Sequence, residues 1–212
     1  MIRGKFVALE GGEGAGKSTQ ARLLAETLCN RGIDVVTTRE PGGTSGAEAV
    51  RALVLGTEGD GWLPRAEALL FAAARSDHVE RLIEPALADG KWVICDRFVD
   101  SSRAYQGGAG GLSDQEIMAL HDIGSRGLLP DVTLLIEVSP EEAASRLARR
   151  DAGATDRIGG RGAEYHARVA AAFNQLADAE PHRFSRINGN GSTDATQSLI
   201  LKALAPMLER LK

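Results

Sequence analysis

The chain has 212 residues, carries Lys+Arg 25 against Asp+Glu 29 for a net charge of −4, and is 43% hydrophobic and 25% charged. That length suits one domain with its own core, the charge offers no chain-wide basic footprint for nucleic acid, and no apolar run is long enough to cross a membrane. Cys29 and Cys95 follow no pattern and no export signal is evident, so reduced thiols in a cytoplasmic protein are expected.

Glycine is in excess, 25 of 212 residues against a background of about 7%. Most of it falls in six groups, at 11–16, 42–46, 56–61, 107–111, 153–162 and 189–191, which points to loops built around something. Phe6–Leu9 reads as a short buried strand running into the first group. A helix follows, with Leu23, Leu24, Thr27 and Leu28 on one side and a stop at Gly32. Ile33–Thr38 is the next strand, rich in β-branched residues. Ala47–Leu55 and Pro64–Leu87 read as helices, the second opened by proline and interrupted by Pro85. Trp92–Cys95 is a third strand. Ser113 and Glu116 form a capping box for another helix. Val132–Val138 is a fourth strand, and a second capping box at Ser139–Glu142 has Pro140 at the first helical position. A helix over about Glu164–Ala177, a weak strand at Phe184–Ile187 and an amphipathic helix through Ile200, Leu204 and Leu208 complete the chain.

Strands alternating with helices predict an α/β fold, a mainly parallel sheet covered on both faces. Ligands of such sheets bind beyond the carboxyl ends of the strands. The loop after the first strand satisfies a phosphate-cradle pattern, G-x-x-x-x-G-K-[ST], in the strand–loop–helix context it requires. Gly11, Gly12, Glu13, Gly14, Ala15, Gly16, Lys17, Ser18 and Thr19 are therefore expected to bind the phosphates of a nucleotide, as in GTPase switches, helicase motors and kinases alike. Backbone N–H groups and the helix N-terminus supply the anion site, Lys17 reaches the β- and γ-phosphates, and Ser18 is placed for Mg²⁺. No N-K-x-D guanine-reading element is present. The Asp156–Gly159 match to D-x-x-G lies in an arginine-rich segment and reads as accidental.

Three further strings identify a family. They are Arg39-Glu40-Pro41-Gly42-Gly43-Thr44, Leu70-Phe71-Ala72-Ala73-Ala74-Arg75, and the run from Asp96-Arg97-Phe98 through Ser101-Ser102 to Ala104-Tyr105-Gln106. Together with the cradle, from residue 5 to about 175, they closely resemble the thymidylate kinases, which phosphorylate dTMP to dTDP. The resemblance implies a three-layer P-loop NTPase fold with a parallel five-stranded sheet, one domain over residues 1–212, and a short lid at about 146–162. It also implies a homodimer, with ATP and dTMP as small-molecule substrates, Mg²⁺ as cofactor, and neither nucleic acid nor membrane as partner. Phe71 and Arg75 share a helix face. Spacing alone also allows core packing and a surface ion pair there, whereas the resemblance makes them the thymine clamp. Arg97 is then the holder of the acceptor phosphate, with Arg51 as a second candidate that spacing alone also allows to be a solvated helix arginine. Asp96 resembles the acid that assists Mg²⁺ beside Ser18. Ser101, Ser102 and Gln106 become polar contacts to dTMP. Tyr105 becomes the residue that leaves no room for a 2′-OH, and Glu13 the acid for 3′-OH recognition.

Between Arg146 and Arg161 five arginines face two acids, a local +3. A solvated basic loop is one reading. The family places a lid here, and its bacterial type, which lacks an arginine in the cradle as this chain does at Gly14, supplies one from the lid. Arg149, Arg150 and Arg157 are the resulting catalytic candidates beside Lys17 and Arg97. The chain departs from the family at Gly159-Gly160, where an acid often follows Asp-Arg-Ile. The four histidines are expected at surface or packing positions. Another pyrimidine nucleoside monophosphate kinase, or a P-loop ATPase switch, remains the alternative function.

Overall fold

The structure is a computed structural model and describes residues 3–56, 59, 61–150 and 156–209, with the Arg150 side chain outside that set. Five parallel strands, β1 (Phe6–Glu10), β2 (Val35–Arg39), β3 (Trp92–Asp96), β4 (Val132–Glu137) and β5 (Phe184–Asn188), form one sheet in the order β2-β3-β1-β4-β5. Every residue of β1 is buried, as a central strand covered on both faces requires. Its alternation sorts the core: Val7 and Leu9 join Leu24, Leu28, Leu134, Ile200 and Leu204 on one face, while Phe6 and Ala8 join Ile83, Leu87, Val93 and Phe98 on the other.

The first face is covered by α1 (Lys17–Cys29) and α9 (Thr193–Glu209). The second is covered by one long helical rod. In it α3 (Pro64–His78) passes through a π-helical stretch, Val79–Ile83, into α4 (Glu84–Ala88). Pro85 has no N–H and crowds the turn before it. The wider π turn immediately upstream takes up that disruption, so the rod continues where the sequence suggests an interruption. A third cluster, including Tyr105, Ile158, Tyr165, Phe173 and Phe184, packs α8 (Ala163–Ala179) against a second π-helical stretch, Arg103–Ala109, which continues α5 (Val99–Ser102).

α2 (Ser45–Leu55), α6 (Asp114–Ser125) and α7 (Pro140–Arg150) complete the fold. α6 has the full capping box expected at Ser113 and Glu116. At α7 only half of the second box forms. The Glu142 N–H donates to Ser139 Oγ at 3.2 Å, but the Glu142 carboxylate takes Arg146 at 2.7 Å, and the Ser139 N–H goes to Asn190. β2 begins two residues later than its β-branched run suggests, because Ile33 spends its N–H on Leu28 O at the end of α1. The ladder to β3 starts with the Trp92 N–H on Asp34 O.

Candidate active site

All five strands end at one edge, and a cleft of about 680 Å³ opens beyond it, a size usual for small-molecule sites. One wall is the loop 11–16. Gly11, Gly14 and Gly16 have φ of 139°, 75° and 89°, which side-chain-bearing residues rarely adopt. At Gly11 a Cβ would also lie 2.4 Å from Ile136 O, and at Gly14 2.7 Å from Ala143 O. Gly16 caps α1 without any side-chain hydrogen bond, so the first-turn N–H groups keep the anion-binding character of a helix start. Lys17 Nζ curls back over the loop onto Gly11 O at 3.1 Å and Gly12 O at 2.8 Å. Burial, reinforced by Arg97, pulls its pKa down to about 8.

Where β3 ends, the chain turns sharply and Arg97 adopts φ 70°. Its N–H bonds Leu9 O at 3.0 Å. Its guanidinium meets Glu13 Oε1 at 2.5 Å, Gly11 O at 3.1 Å and Ser101 Oγ at 3.2 Å, and lies 5.0 Å from the centre of the Tyr105 ring. Burial opposes the charge on Arg97, but Tyr105, Glu13 and Asp96 outweigh it and keep the guanidinium protonated. The same pair explains how an acid is tolerated among phosphate-binding amides: Glu13 faces Arg97 and, at 3.4 Å, the Tyr105 hydroxyl. Ser18 Oγ donates to Asp96 Oδ2 at 2.5 Å, which brings the two metal candidates together. A hydroxyl and a carboxylate are hard oxygen donors, and Mg²⁺ takes few protein ligands beside phosphate and water, so this pair fits that ion.

The opposite wall is made of side chains held by buried partners. Phe71 and Arg75 both line the cleft. Arg75 is 3% exposed, its Nε bonds Glu40 at 2.7 Å and its Nη2 bonds Ser102 at 2.9 Å. Behind it His78 bridges Glu40 at 3.1 Å and Thr38 at 2.7 Å. His78 and His121 are buried, as packing residues, while His78 also steadies the carboxylate that aims Arg75. Gln106 bonds Glu67 at 2.9 Å, and Glu67 also pairs with Arg161. Arg161 donates to the Tyr165 hydroxyl, which donates to Tyr105 O at 2.8 Å. Burial, the largest influence, pushes the Tyr105 phenol up to about 12. Arg51 reaches Pro41 O at 2.6 Å from the adjoining wall. Ser101, Ser102, Tyr105 and Gln106 all line the cleft with Glu13, Arg51, Asp96 and Arg97.

The described arginines of the 146–161 segment are spread over several places. Arg149 is exposed and bonds Ser145 O within its own helix. Arg157 Nε bonds Gly56 O at 2.5 Å, and a Cβ on Gly61 would meet its guanidinium, which gives two glycines of the 56–61 group a neighbour. Neither arginine lines the cleft, and residues 151–155 and the Arg150 side chain lie outside the described residues. Arg146 does line it, bonding Gly189 O at 2.7 Å and Ala15 O at 3.4 Å. Asp156 accepts from the Ile158 and Gly159 N–H groups, so the D-x-x-G match is a local turn.

Sequence reading passed over Glu10, Glu40, Glu67, Asp100 and Arg146 as site residues. Burial, with Asp100 beside it, pushes the Glu10 carboxyl up to about 7. Asp100 is buried too, but Arg183 at 2.6 Å and Arg103 at 3.2 Å more than reverse that effect and hold its pKa low. For Glu10, Glu40 and Asp100 the available signal was an acid at a strand end or inside one of the family's strings, since a buried charge needs partners.

A family model described as thymidylate kinase matches residues 9–200. A thymidylate kinase of Rhizorhabdus wittichii is 54% identical over 205 residues, covering 97% of this chain and 99% of the relative. One of Ruegeria pomeroyi is 48% identical over 209 residues, covering 99% and 98%. The crystal structure of thymidylate kinase from Ehrlichia chaffeensis superimposes with a TM-score of 0.78 at 34% identity, covering 95% of this chain and 99% of that one.

Proposed function

This chain belongs to the thymidylate kinase family and phosphorylates dTMP to dTDP with ATP as donor, and on that footing we propose a direct, in-line transfer across the cleft. The observation that carries the proposal is Arg97, which touches the donor loop at Gly11 and Glu13 while facing Tyr105 and Ser101 on the acceptor side. A guanidinium so placed can hold an acceptor phosphate oxygen toward the γ-phosphoryl group. A monophosphate oxygen is ionised near neutral pH, so no general base is needed, and alignment with charge stabilisation carries the rate.

Loop 11–16 with Lys17, Ser18 and Thr19 holds the ATP phosphates. Arg146, bonded to the 189–191 turn and to the cradle, stands beside the ATP phosphates. Ser18 and Asp96 would hold Mg²⁺, which when bound neutralises charge on the β- and γ-oxygens. Phe71 stacks on thymine. Arg75, whose Nε and Nη2 are engaged, offers Nη1 to a base carbonyl. Arg51 supports the acceptor phosphate, and Ser102 and Gln106 complete the polar lining. Glu13 takes the 3′-OH, and Tyr105 closes the space a 2′-OH needs. Arg149 and Arg157, which do not line the cleft, must shift toward it to reach the transition state, which would also exclude water, and Arg150 is the third candidate. We place the enzyme in the cytoplasm as a homodimer. No described helix is long and apolar enough to cross a membrane, and Leu69 and Ile123 expose apolar surface that a second copy could cover.

ADP formation with Mg-ATP and a panel of monophosphates tests this reading. dTMP should stimulate strongly. dUMP should trail it by about 10–200-fold, the range a single methyl can supply, and UMP should be poor. Equal rates with all three remove the role of Tyr105. Hydrolysis independent of any acceptor favours a P-loop ATPase instead.

A further inference from the structure

Beneath the cleft, one carboxylate joins the strand that launches the phosphate loop to the segment that carries Arg97. Glu10 is fully buried at the end of β1. Its Oε1 accepts the Phe98 N–H at 2.8 Å and the Ser101 N–H at 3.1 Å, and its Oε2 accepts the Ser101 hydroxyl at 2.6 Å. α5 has no side-chain cap of its own, so Glu10 supplies from another element the acceptor that a capping residue ordinarily provides. The Ser101 oxygen also accepts from Arg97 Nη1, at 3.2 Å. A serine hydroxyl has one proton and two lone pairs. With the proton directed to Glu10, only lone pairs remain for the guanidinium. Arg97 itself sits at φ 70°, a conformation that persists where surroundings over-determine it.

We infer that Glu10 is a positioning residue for phosphoryl transfer: by fixing the Ser101 hydroxyl as an acceptor, it holds the Arg97 guanidinium in the orientation that meets the acceptor phosphate. This rests on the reading of Arg97 given above. Glu10→Gln keeps the volume of the side chain. Its amide N–H can donate to Ser101, turning the hydroxyl proton toward a guanidinium that is itself only a donor.

A double-mutant cycle with Arg97→Ala tests the inference, with rates expressed per ATP-binding site. Glu10→Gln should lower kcat by about 10–100-fold while KM for ATP stays within about threefold. In the Arg97→Ala background the same substitution should change kcat by less than about twofold, because coupled residues fail to add. A Glu10→Gln enzyme within about threefold of the parent overturns the inference, and so does an equal loss in both backgrounds, which marks a merely structural role. If Arg97→Ala is itself within about threefold of the parent, the reading of Arg97 fails and takes the inference with it. Should Glu10→Gln not fold, Ser101→Ala enters the same cycle. It keeps the backbone N–H and should show the same dependence on Arg97, and an additive loss overturns the inference.

Discussion

The two sides of the cleft are built from different materials. The side proposed for the donor is mostly backbone: a loop of positive-φ glycines and an uncapped helix start, with Lys17 bonded to carbonyls of its own loop. The side proposed for the acceptor is mostly side chains, several aimed by buried partners, as Glu40 and His78 aim Arg75 and Glu67 holds Gln106. A phosphate presents the same oxygens whatever nucleotide carries it, so amides fixed by chain geometry suffice to bind it. A pyrimidine ring and a deoxyribose have individual edges and volumes. Reading them takes side chains of particular shape, and those must be held still.

That contrast sets where damage should appear. The largest effect is expected from Lys17→Ala, which removes charge stabilisation at the transferring phosphoryl. kcat should fall by about 10²–10³-fold, the scale of a lost electrostatic contact at a transition state, with KM for dTMP nearly unchanged in steady-state assays. A large rise in that KM instead would blur the division between the two sides. Arg75→Ala should act in the opposite sense, raising KM for dTMP. It should also destabilise the fold by about 3–5 kcal/mol, because Glu40 is left buried without its charged partner. Urea titration checks the stability and initial rates check the KM.

Phe71→Ala should weaken dTMP by about 1–3 kcal/mol, the worth of one base–aromatic stack, and leave KM for ATP alone. A change in both would mean that Phe71 supports the whole cleft. The smallest effect concerns pH. Burial and Arg97 place the Lys17 pKa at about 8, below its ordinary value. The ammonium is therefore present below that pH and lost as pH rises through it. kcat/KM for ATP, which reports the free enzyme, should decline a few-fold between pH 7 and 8.5. A flat profile would show that the donor side does not depend on this charge.

The fold and the geometry of the phosphate loop were legible because they are local. A short apolar run, glycines at fixed spacing and Lys17-Ser18 occupy consecutive positions, and their geometry follows from backbone sterics and helix starts. Phe71 and Arg75, four apart on one helix, were legible as a pair, and the family resemblance supplied their role. What stayed hidden lies far apart in sequence: Glu40 with Arg75 and His78, Glu10 with Ser101, Asp100 with Arg183. The Glu142–Arg146 pair was sequence-local but competed with the capping box that the same string suggests. The arginine segment showed its charge, but not which arginine faces the cleft.

By itself, then, the sequence determined a parallel α/β fold and a phosphate cradle, because turn chemistry and hydrophobic period act between near neighbours, while the kind of acceptor came from the family resemblance. Only the tertiary structure decided which buried acid serves which base, how the rod passes Pro85, and where Arg146 and Arg157 lie. Those outcomes depend on desolvated charges finding partners across the sheet, and the partners are set by packing, not by spacing along the chain.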